Sequence, residues 1–127
     1  MDYLQHISHK LNYNAPQTYI VGDMTTKLKH LATELGIAIV IVCQLNRDVG
    51  KGNKGDHLPK LRHLKDSGSI EQDSDVVLLL HREDLIDPET SQRNIMDVLI
   101  SKNRQGKTGA SKLFYEKPIF SLRDLEE

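Results

Sequence analysis

Apolar residues follow two different spacings along the first part of the chain. Between residues 18 and 35 they recur mostly three or four positions apart, which is the spacing of one face of an amphipathic helix. Gly36 follows and is suited to end that helix. Residues 37–43 are then all apolar and mostly β-branched, which is typical of a strand covered on both faces in a parallel sheet. A helix followed by a buried strand indicates an α/β fold.

The pattern becomes polar after Cys43. Residues 44–59 contain three glycines and few apolar side chains, which predicts a long loop. Further on, the spacing predicts a short helix and three strands, at residues 67–72, 75–81, 95–100 and 112–115. The glycine-containing segment 105–109 predicts a hairpin between the last two strands. We therefore expect a mainly parallel sheet flanked by helices and followed by an antiparallel β-hairpin.

Composition narrows the classes of protein to consider. A chain of 127 residues fits one domain, and its 17 Lys and Arg against 18 Asp and Glu exclude attraction to nucleic acid by net charge alone. The single Cys43 lies in an apolar run and favours a reducing, cytoplasmic setting. No apolar run is long enough to span a membrane, and the six histidines have no partner cysteines, so we predict no structural metal.

Four segments carry recognisable motifs. They read Met-Asp-Tyr-Leu-Gln at residues 1–5, Cys-Gln-Leu-Asn-Arg at 43–47, Lys-Asp-Ser-Gly-Ser-Ile-Glu-Gln-Asp-Ser-Asp-Val-Val at 65–77 and Lys-Asn-Arg-Gln-Gly-Lys-Thr-Gly at 102–109. In this order and spacing they resemble the DnaB family of hexameric replicative DNA helicases, whose motor has a RecA-like ATPase fold. RecA-like recombinases and circadian-type ATPases share that fold but lack the 65–77 segment, which makes them weaker alternatives.

The resemblance implies one partial RecA-like motor domain over residues 1–127, beginning at Walker B. By that resemblance Asp2 holds Mg²⁺ beside ATP, and Gln44 senses the γ-phosphate. Lys102 and Arg104 match the arginine-finger position that reaches the nucleotide of a neighbouring subunit, and Arg104 would stabilise charge on the phosphoryl oxygens. Each of these residues also has a plainer interpretation as a solvated charge or an ordinary loop residue. The tips carrying Asp2 and Gln44 are expected side by side along one rim of the sheet.

A basic strip is the candidate contact with single-stranded DNA. Between residues 47 and 65 six cationic side chains oppose two carboxylates, a local charge of 6 − 2 = +4. Arg47 is a candidate because it begins this strip. The resemblance implies that Lys65, Asp66 and Gly68 line the central channel and follow the DNA backbone, with Gly68 allowing the backbone amide to approach phosphate. No Phe, Tyr or Trp lies between positions 47 and 75, so base stacking should be minor and sequence preference weak. A solvated charged loop is the alternative.

The sequence contains no P-loop. Gly106-Lys107-Thr108 resembles the end of one, but the required glycine five residues earlier is Ser101. Because the family's P-loop and catalytic glutamate precede Walker B, we expect this chain alone to be inactive and to bind ATP and Mg²⁺ weakly, which leaves open whether it is itself an enzyme. We expect it to assemble with copies of itself or with helicase ring subunits. The alternative is a stand-alone module that joins or inhibits a full-length helicase ring.

Overall fold

The computed structural model describes residue 4 and residues 15–46, 57–64 and 67–125. These residues fall into two compact units. The first unit contains the described residues up to position 46 together with 61–64 and 67–74. The second contains residues 57–60 and 75–125.

The first unit is built on helix α1 (Gln17–Leu35), which confirms the predicted helix. Gly36 ends it in the left-handed conformation, with φ of 63°, and the N–H of Ile37 donates to the carbonyl of Ala32 at 3.1 Å. This pairing occupies a carbonyl that the end of a helix otherwise leaves without a partner. The buried side chains all lie in the first half of the helix: Ile20, Val21, Met24 and Thr25.

A second helix, α2 (Ser67–Asp73), packs against α1 and confirms the short helix predicted there. Ile70 is buried in the first unit. Gly22 of α1 lies close to Ser69 of α2, because a Cβ atom at Gly22 would be 3.3 Å from the Ser69 hydroxyl oxygen. The small residue therefore allows the two helices to approach closely.

Residues 37–43 do not form the doubly covered strand that their composition predicts. No strand is assigned there, Val40 is 90% exposed, and Ile37 and Val42 are more than half exposed. Among the described residues, a backbone hydrogen bond reaches this run from the N–H of Leu4 to the carbonyl of Val42, at 2.9 Å. A buried strand exists only when neighbouring strands supply hydrogen bonds and cover, and the described part of the chain supplies little of either.

The second unit is an antiparallel sheet of four described strands. They are β1 (Val76–His81), β2 (Ile95–Asn103), β3 (Gly109–Glu116) and β4 (Ser121–Asp124), and they lie in the sheet in chain order. The expectation of a mainly parallel sheet is therefore wrong for the described strands. Residues 104–108 and 117–120 are short connections, and connections of that length can join only antiparallel neighbours. The hairpin between β2 and β3 is confirmed, whereas β4 was not predicted.

Strand β1 is covered on one face only. Val77, Leu79 and His81 are buried, while Val76, Leu78 and Leu80 on the opposite face are 51–55% exposed. A continuous apolar run such as 76–80 is typical of a strand covered on both faces, which is not what β1 shows. Neither of the two described helices has the length and apolar character needed to cross a membrane.

Candidate functional site

The hairpin between β2 and β3 carries the two cationic residues that the sequence singled out. Lys102 lies opposite Val77 of β1, and Ile100 lies opposite Leu78, so Ser101 is an additional residue on β2. Side chains of a strand alternate between its faces, and an extra residue reverses the alternation beyond it. The bulge at Ser101 therefore places Lys102 on the face that carries the buried Val77.

Arg104 follows directly after β2 and is fixed through its backbone. Its N–H donates to the carbonyl of Asp75 at 2.8 Å. Its guanidinium lies 3.4 Å from the Asp75 carboxylate, and both side chains are more than half exposed. An exposed ion pair of this length stabilises by at most about 1 kcal/mol. The main chain of Arg104 is thus held while its guanidinium is readily available to another anion.

The turn of the hairpin is closed by a side chain. The amide nitrogen of Asn103 donates to the carbonyl of Lys107 at 3.3 Å, and a Cβ atom at Gly106 would lie 2.6 Å from that same nitrogen. A larger residue at 106 would therefore have to displace the Asn103 amide, which costs little because that amide is the end of a flexible side chain. The Gly-Lys-Thr sequence at 106–108 lies in a turn between two strands, whereas a phosphate cradle lies between a strand and a helix.

Gln44 lies at the end of the exposed apolar run and is itself exposed. The next residue, Leu45, forms an isolated antiparallel bridge with Leu64, and the N–H of Asn46 donates to the carbonyl of His63 at 2.7 Å. The backbone is held just beyond Gln44 while its side chain remains open. Asp2 lies outside the described residues, so the expected juxtaposition of Asp2 and Gln44 stays a prediction.

Gly68 is the DNA-facing candidate that the structure describes; Arg47, Lys65 and Asp66 lie outside the described residues. Gly68 is exposed in the first turn of α2, and apart from the adjacent backbone no atom of the described residues lies within 4 Å of where its Cβ would be. Packing among the described residues therefore does not require glycine at this position. Open space beside the backbone is what a close approach by phosphate would need.

The same motif contains a contact that the sequence did not reveal. Asp73, at the end of α2, accepts hydrogen bonds from the hydroxyls of Thr25 at 2.6 Å and Thr26 at 3.1 Å, both on α1. Thr25 is only 3% exposed. Part of the diagnostic 65–77 segment thus joins the two helices. Its partners are 48 and 47 positions away, and no local pattern identifies them.

A second unpredicted cluster lies beyond the end of β1. The Glu83 carboxylate contacts His57 Nδ1 at 2.6 Å and His81 Nε2 at 2.9 Å. These hydrogen bonds, the one from His57 being the larger influence, lower the pKa of Glu83 from its ordinary value. The neighbouring Asp84 binds Arg82 through both carboxylate oxygens, at 3.0 and 2.7 Å, and that contact lowers its pKa as well. Arg82 also stacks on the ring of Tyr115, 4.4 Å from its centre.

The described residues offer groups suited to contacts with phosphate. Where the structure describes the chain, no three His, Cys, Asp or Glu side chains converge in a way that could hold a metal ion. Burial raises the pKa of the Cys43 thiol, which disfavours the reactive thiolate. The described residues present an accessible guanidinium beside the turn between β2 and β3, at Arg104, and an exposed glycine in the first turn of α2, at Gly68.

Solved structures with the same fold define the class of protein. A solved ATPase domain superposes with a TM-score of 0.84 at 33% identity, covering 91% of this chain and 40% of that chain. A second solved structure, of a DnaB-like replicative helicase and its interactions with primase, gives the same TM-score and sequence identity. The match covers 91% of this chain and 27% of that chain. The chain thus shares the fold of part of a helicase ATPase domain.

The family follows from the sequence comparisons. The chain belongs to the DnaB-like helicase C terminal domain family, whose model matches residues 1–124. The replicative DNA helicase DnaC of Bacillus subtilis is 34% identical to this chain over 126 residues, which is 99% of this chain. The replicative DNA helicase DnaB of Leifsonia xyli is 37% identical over 125 residues, which is 98% of this chain. The chain spans 27% of the length of each. The resemblance drawn from the four motifs is confirmed.

Proposed function

We propose that this chain is the C-terminal part of the motor domain of an ATP-dependent replicative DNA helicase and acts within a ring of subunits. The observation that carries the proposal is Arg104, whose backbone is fixed to Asp75 while its guanidinium stays more than half exposed. A planar guanidinium presented in this way suits a phosphoryl group bound by a neighbouring subunit. Hydrolysis would then depend on assembly.

ATP and Mg²⁺ fit this proposal as ligands of the assembled ring. Bound there, they would supply the phosphoryl group whose transfer drives movement along DNA. Arg104 would stabilise the charge that develops on the phosphoryl oxygens, and Lys102, directed by the bulge at Ser101, would add a second cation. Gln44 would sense the γ-phosphate, and Asp2 would hold the hydrated metal ion.

Single-stranded DNA would contact the basic segment from Arg47 to Lys65 and the start of α2. Gly68 supports this proposal because the described residues leave the space beside it empty. An Ala side chain at 68 would meet no other described residue and would favour the helix by up to about 1 kcal/mol. Gly68→Ala should therefore be at least as stable as the parent. If phosphate approaches the backbone at this position, the variant will nevertheless bind oligothymidylate more weakly.

Two exposed apolar surfaces support the proposal of a partial motor domain. One is the run at residues 37–43, and the other is the face of β1 that carries Leu78 and Leu80. Apolar surface left in water favours association with another polypeptide. In a longer helicase subunit, other parts of the motor domain would cover both.

The trans action of Arg104 is testable by complementation. The chain replaces the matching residues of the Bacillus subtilis relative, and DNA-stimulated ATP hydrolysis is measured. We expect that Arg104→Ala abolishes ATP turnover, and that replacing the P-loop lysine in the Bacillus subtilis part of the chimera does so too. The Arg104→Ala subunit keeps the nucleotide site, and the P-loop variant keeps the guanidinium. Rings that contain both variants should therefore recover activity.

Arg93→Ala is the matched control for that experiment. Arg93 is an exposed arginine that donates to the carbonyl of Pro88 at 3.0 Å and precedes the opposite end of β2. Its replacement should leave turnover unchanged. Full activity of the Arg104→Ala chimera, or mixed rings as inactive as each parent, would contradict the proposal.

A second candidate is a stand-alone module that joins a full-length helicase ring and inhibits it. The exposure of Val40 and of the outer face of β1 favours it, since both could dock on ring subunits. Titrating the chain into the intact Bacillus subtilis helicase and measuring unwinding distinguishes the two candidates. Inhibition with co-migration would support the module, and unchanged unwinding would remove it.

A further inference from the structure

Asp75 and Arg104 face each other at one end of the ladder between β1 and β2. The last pair of strand residues at that end is Val76 with Asn103. Continuing the register by one position places Arg104 opposite Asp75, and the 2.8 Å hydrogen bond from the Arg104 N–H to the Asp75 carbonyl continues the pairing. Directly opposed residues of an antiparallel pair project their side chains from the same face of the sheet. The Asp75 carboxylate and the Arg104 guanidinium therefore share one face.

The bulge at Ser101 produces this pairing. On its far side the two strands are paired in a register that differs by one residue. If that register ran on without the bulge, Asn103 would lie opposite Asp75, and Arg104 would lie one position beyond it. The additional residue in β2 thus brings a cation, in place of an amide, opposite the carboxylate.

The side-chain contact engages one corner of the guanidinium. Arg104 Nη1 lies 3.4 Å from Asp75 Oδ1, and the two side chains are 55% and 53% exposed. A guanidinium has five N–H donors in a planar fork, spread over three nitrogens. The donors on Nε and Nη2 take no part in this contact. A phosphoryl group can therefore bind to them while Asp75 stays in place.

We infer that Asp75 is a positioning residue for Arg104: its carboxylate holds the guanidinium in the orientation in which the remaining donors meet the phosphoryl group of a neighbouring subunit. This inference rests on the role proposed above for Arg104. A side chain that is already held loses less conformational freedom when it binds. Charge alone gives the opposite expectation, because removing a carboxylate beside a cation should favour binding of an anion. A loss of turnover on removing the carboxylate is therefore diagnostic of positioning.

The test measures kcat and KM for ATP, with DNA present, in the chimera in which this chain replaces the matching residues of the Bacillus subtilis relative. Asp75→Asn removes the charge, keeps the size of the side chain and leaves the backbone carbonyl in place. An exposed ion pair changes an equilibrium by up to about fivefold, so kcat should fall roughly three- to fivefold. KM should be unchanged, because Arg104 acts on charge that develops during transfer. Asp75→Glu keeps a carboxylate and should lie between the parent and Asp75→Asn.

Mixed rings show whether Asp75 acts through Arg104. One subunit carries Arg104→Ala and supplies the nucleotide site, and the other carries the P-loop lysine substitution and supplies the guanidinium. Asp75→Asn should lower the recovered turnover when it is placed in the subunit that supplies Arg104. In the Arg104→Ala subunit it should have no effect, because that subunit has no guanidinium to position. A general loss of stability would lower turnover in either placement.

Glu89→Gln is the matched control. Glu89 is exposed in the connection that precedes β2, at the opposite end of that strand from Arg104, and its replacement changes the net charge equally. It should leave kcat and KM unchanged.

The outcomes separate the inference from the proposal beneath it. Recovery of turnover in mixed rings, together with a parental or raised kcat in Asp75→Asn, would overturn the inference and leave the role of Arg104 standing. Mixed rings that fail to recover would overturn both. An equal loss from Asp75→Asn in the two placements, or an equal loss in Glu89→Gln, would also overturn the inference. A loss confined to the subunit that supplies Arg104 would support it.

Discussion

The hydrogen bonds from α1 to Asp73 should account for a measurable part of the stability of the first unit. The Thr25 hydroxyl is buried and lies 2.6 Å from the Asp73 carboxylate, while the Thr26 hydroxyl is exposed at 3.1 Å. A hydrogen bond to a charged group contributes about 1.5–3 kcal/mol, and an exposed one contributes less. Thr25 should therefore supply most of the effect.

The geometry of Thr25 limits how large that effect can be. Its oxygen also lies 3.0 Å from the carbonyl of Gly22, and a hydroxyl has one proton to donate. The shorter contact to a carboxylate favours Asp73. When Asp73 is removed, the proton can turn to Gly22 and recover part of the loss. We therefore expect Asp73→Ala to lower the free energy of unfolding by about 2 kcal/mol, and Thr26→Val by about 0.5 kcal/mol or less.

A double-mutant cycle measures the contact directly. Urea unfolding followed by far-ultraviolet circular dichroism is carried out for Asp73→Ala, Thr25→Val and the double variant. The coupling should be about 1–2 kcal/mol, because either single change removes the same hydrogen bond. Asp73→Asn keeps an acceptor oxygen without the charge and should lie between the parent and Asp73→Ala. Additive single changes, with coupling below about 0.3 kcal/mol, would refute the reasoning.

Three further predictions concern stability. Gly36→Ala should lower the free energy of unfolding, measured in urea, by about 1–2 kcal/mol, because φ is 63° at this position. Gly36→Asn should lower it less, because Asn tolerates the left-handed conformation better. Equal losses in the two variants would contradict the backbone explanation. Leu79→Ala should lower the free energy of unfolding by about 2–5 kcal/mol, because Leu79 is 2% exposed. Leu78 is 54% exposed, so Leu78→Ala should lower it much less. Similar melting temperatures for the two variants would contradict a sheet that is covered on one face. Glu83 and Asp84 have folded-state pKa values below their ordinary values of 4.5 and 3.8. Between the lowered and the ordinary pKa of each group, the unfolded state therefore binds more protons than the folded state. Stability should fall as the pH drops below those ordinary values, and replacing both with amides should flatten the acid limb of the unfolding curve.

Local signals in the sequence were sufficient for several elements. The spacing of apolar residues and a terminal glycine predicted α1, because helix periodicity and the left-handed cap depend on neighbours a few positions away. The β2–β3 hairpin followed from its glycine-containing turn in the same way. The motif at 65–77 was long enough to indicate the family, and the match over residues 1–124 confirms it.

Contacts between distant positions could not be predicted. The bulge at Ser101 depends on the pairing register of β2 with β1, and composition does not specify register. The contact between Glu83 and His57 joins residues 26 positions apart. β4 is short, and half of its residues are charged, so no apolar run marks it. Each of these features depends on which segments lie beside each other in the folded chain.

The helices, the hairpin and the family could be established from the amino-acid sequence, because periodicity, caps, turns and motifs act over a few neighbouring residues. The antiparallel order of the sheet, the exposure of residues 37–43 and the placement of Arg104 beside Asp75 became known only from the folded chain. An apolar run specifies a preference for burial, but it does not specify the surface that covers it. Cover and charge partners come from segments remote in sequence.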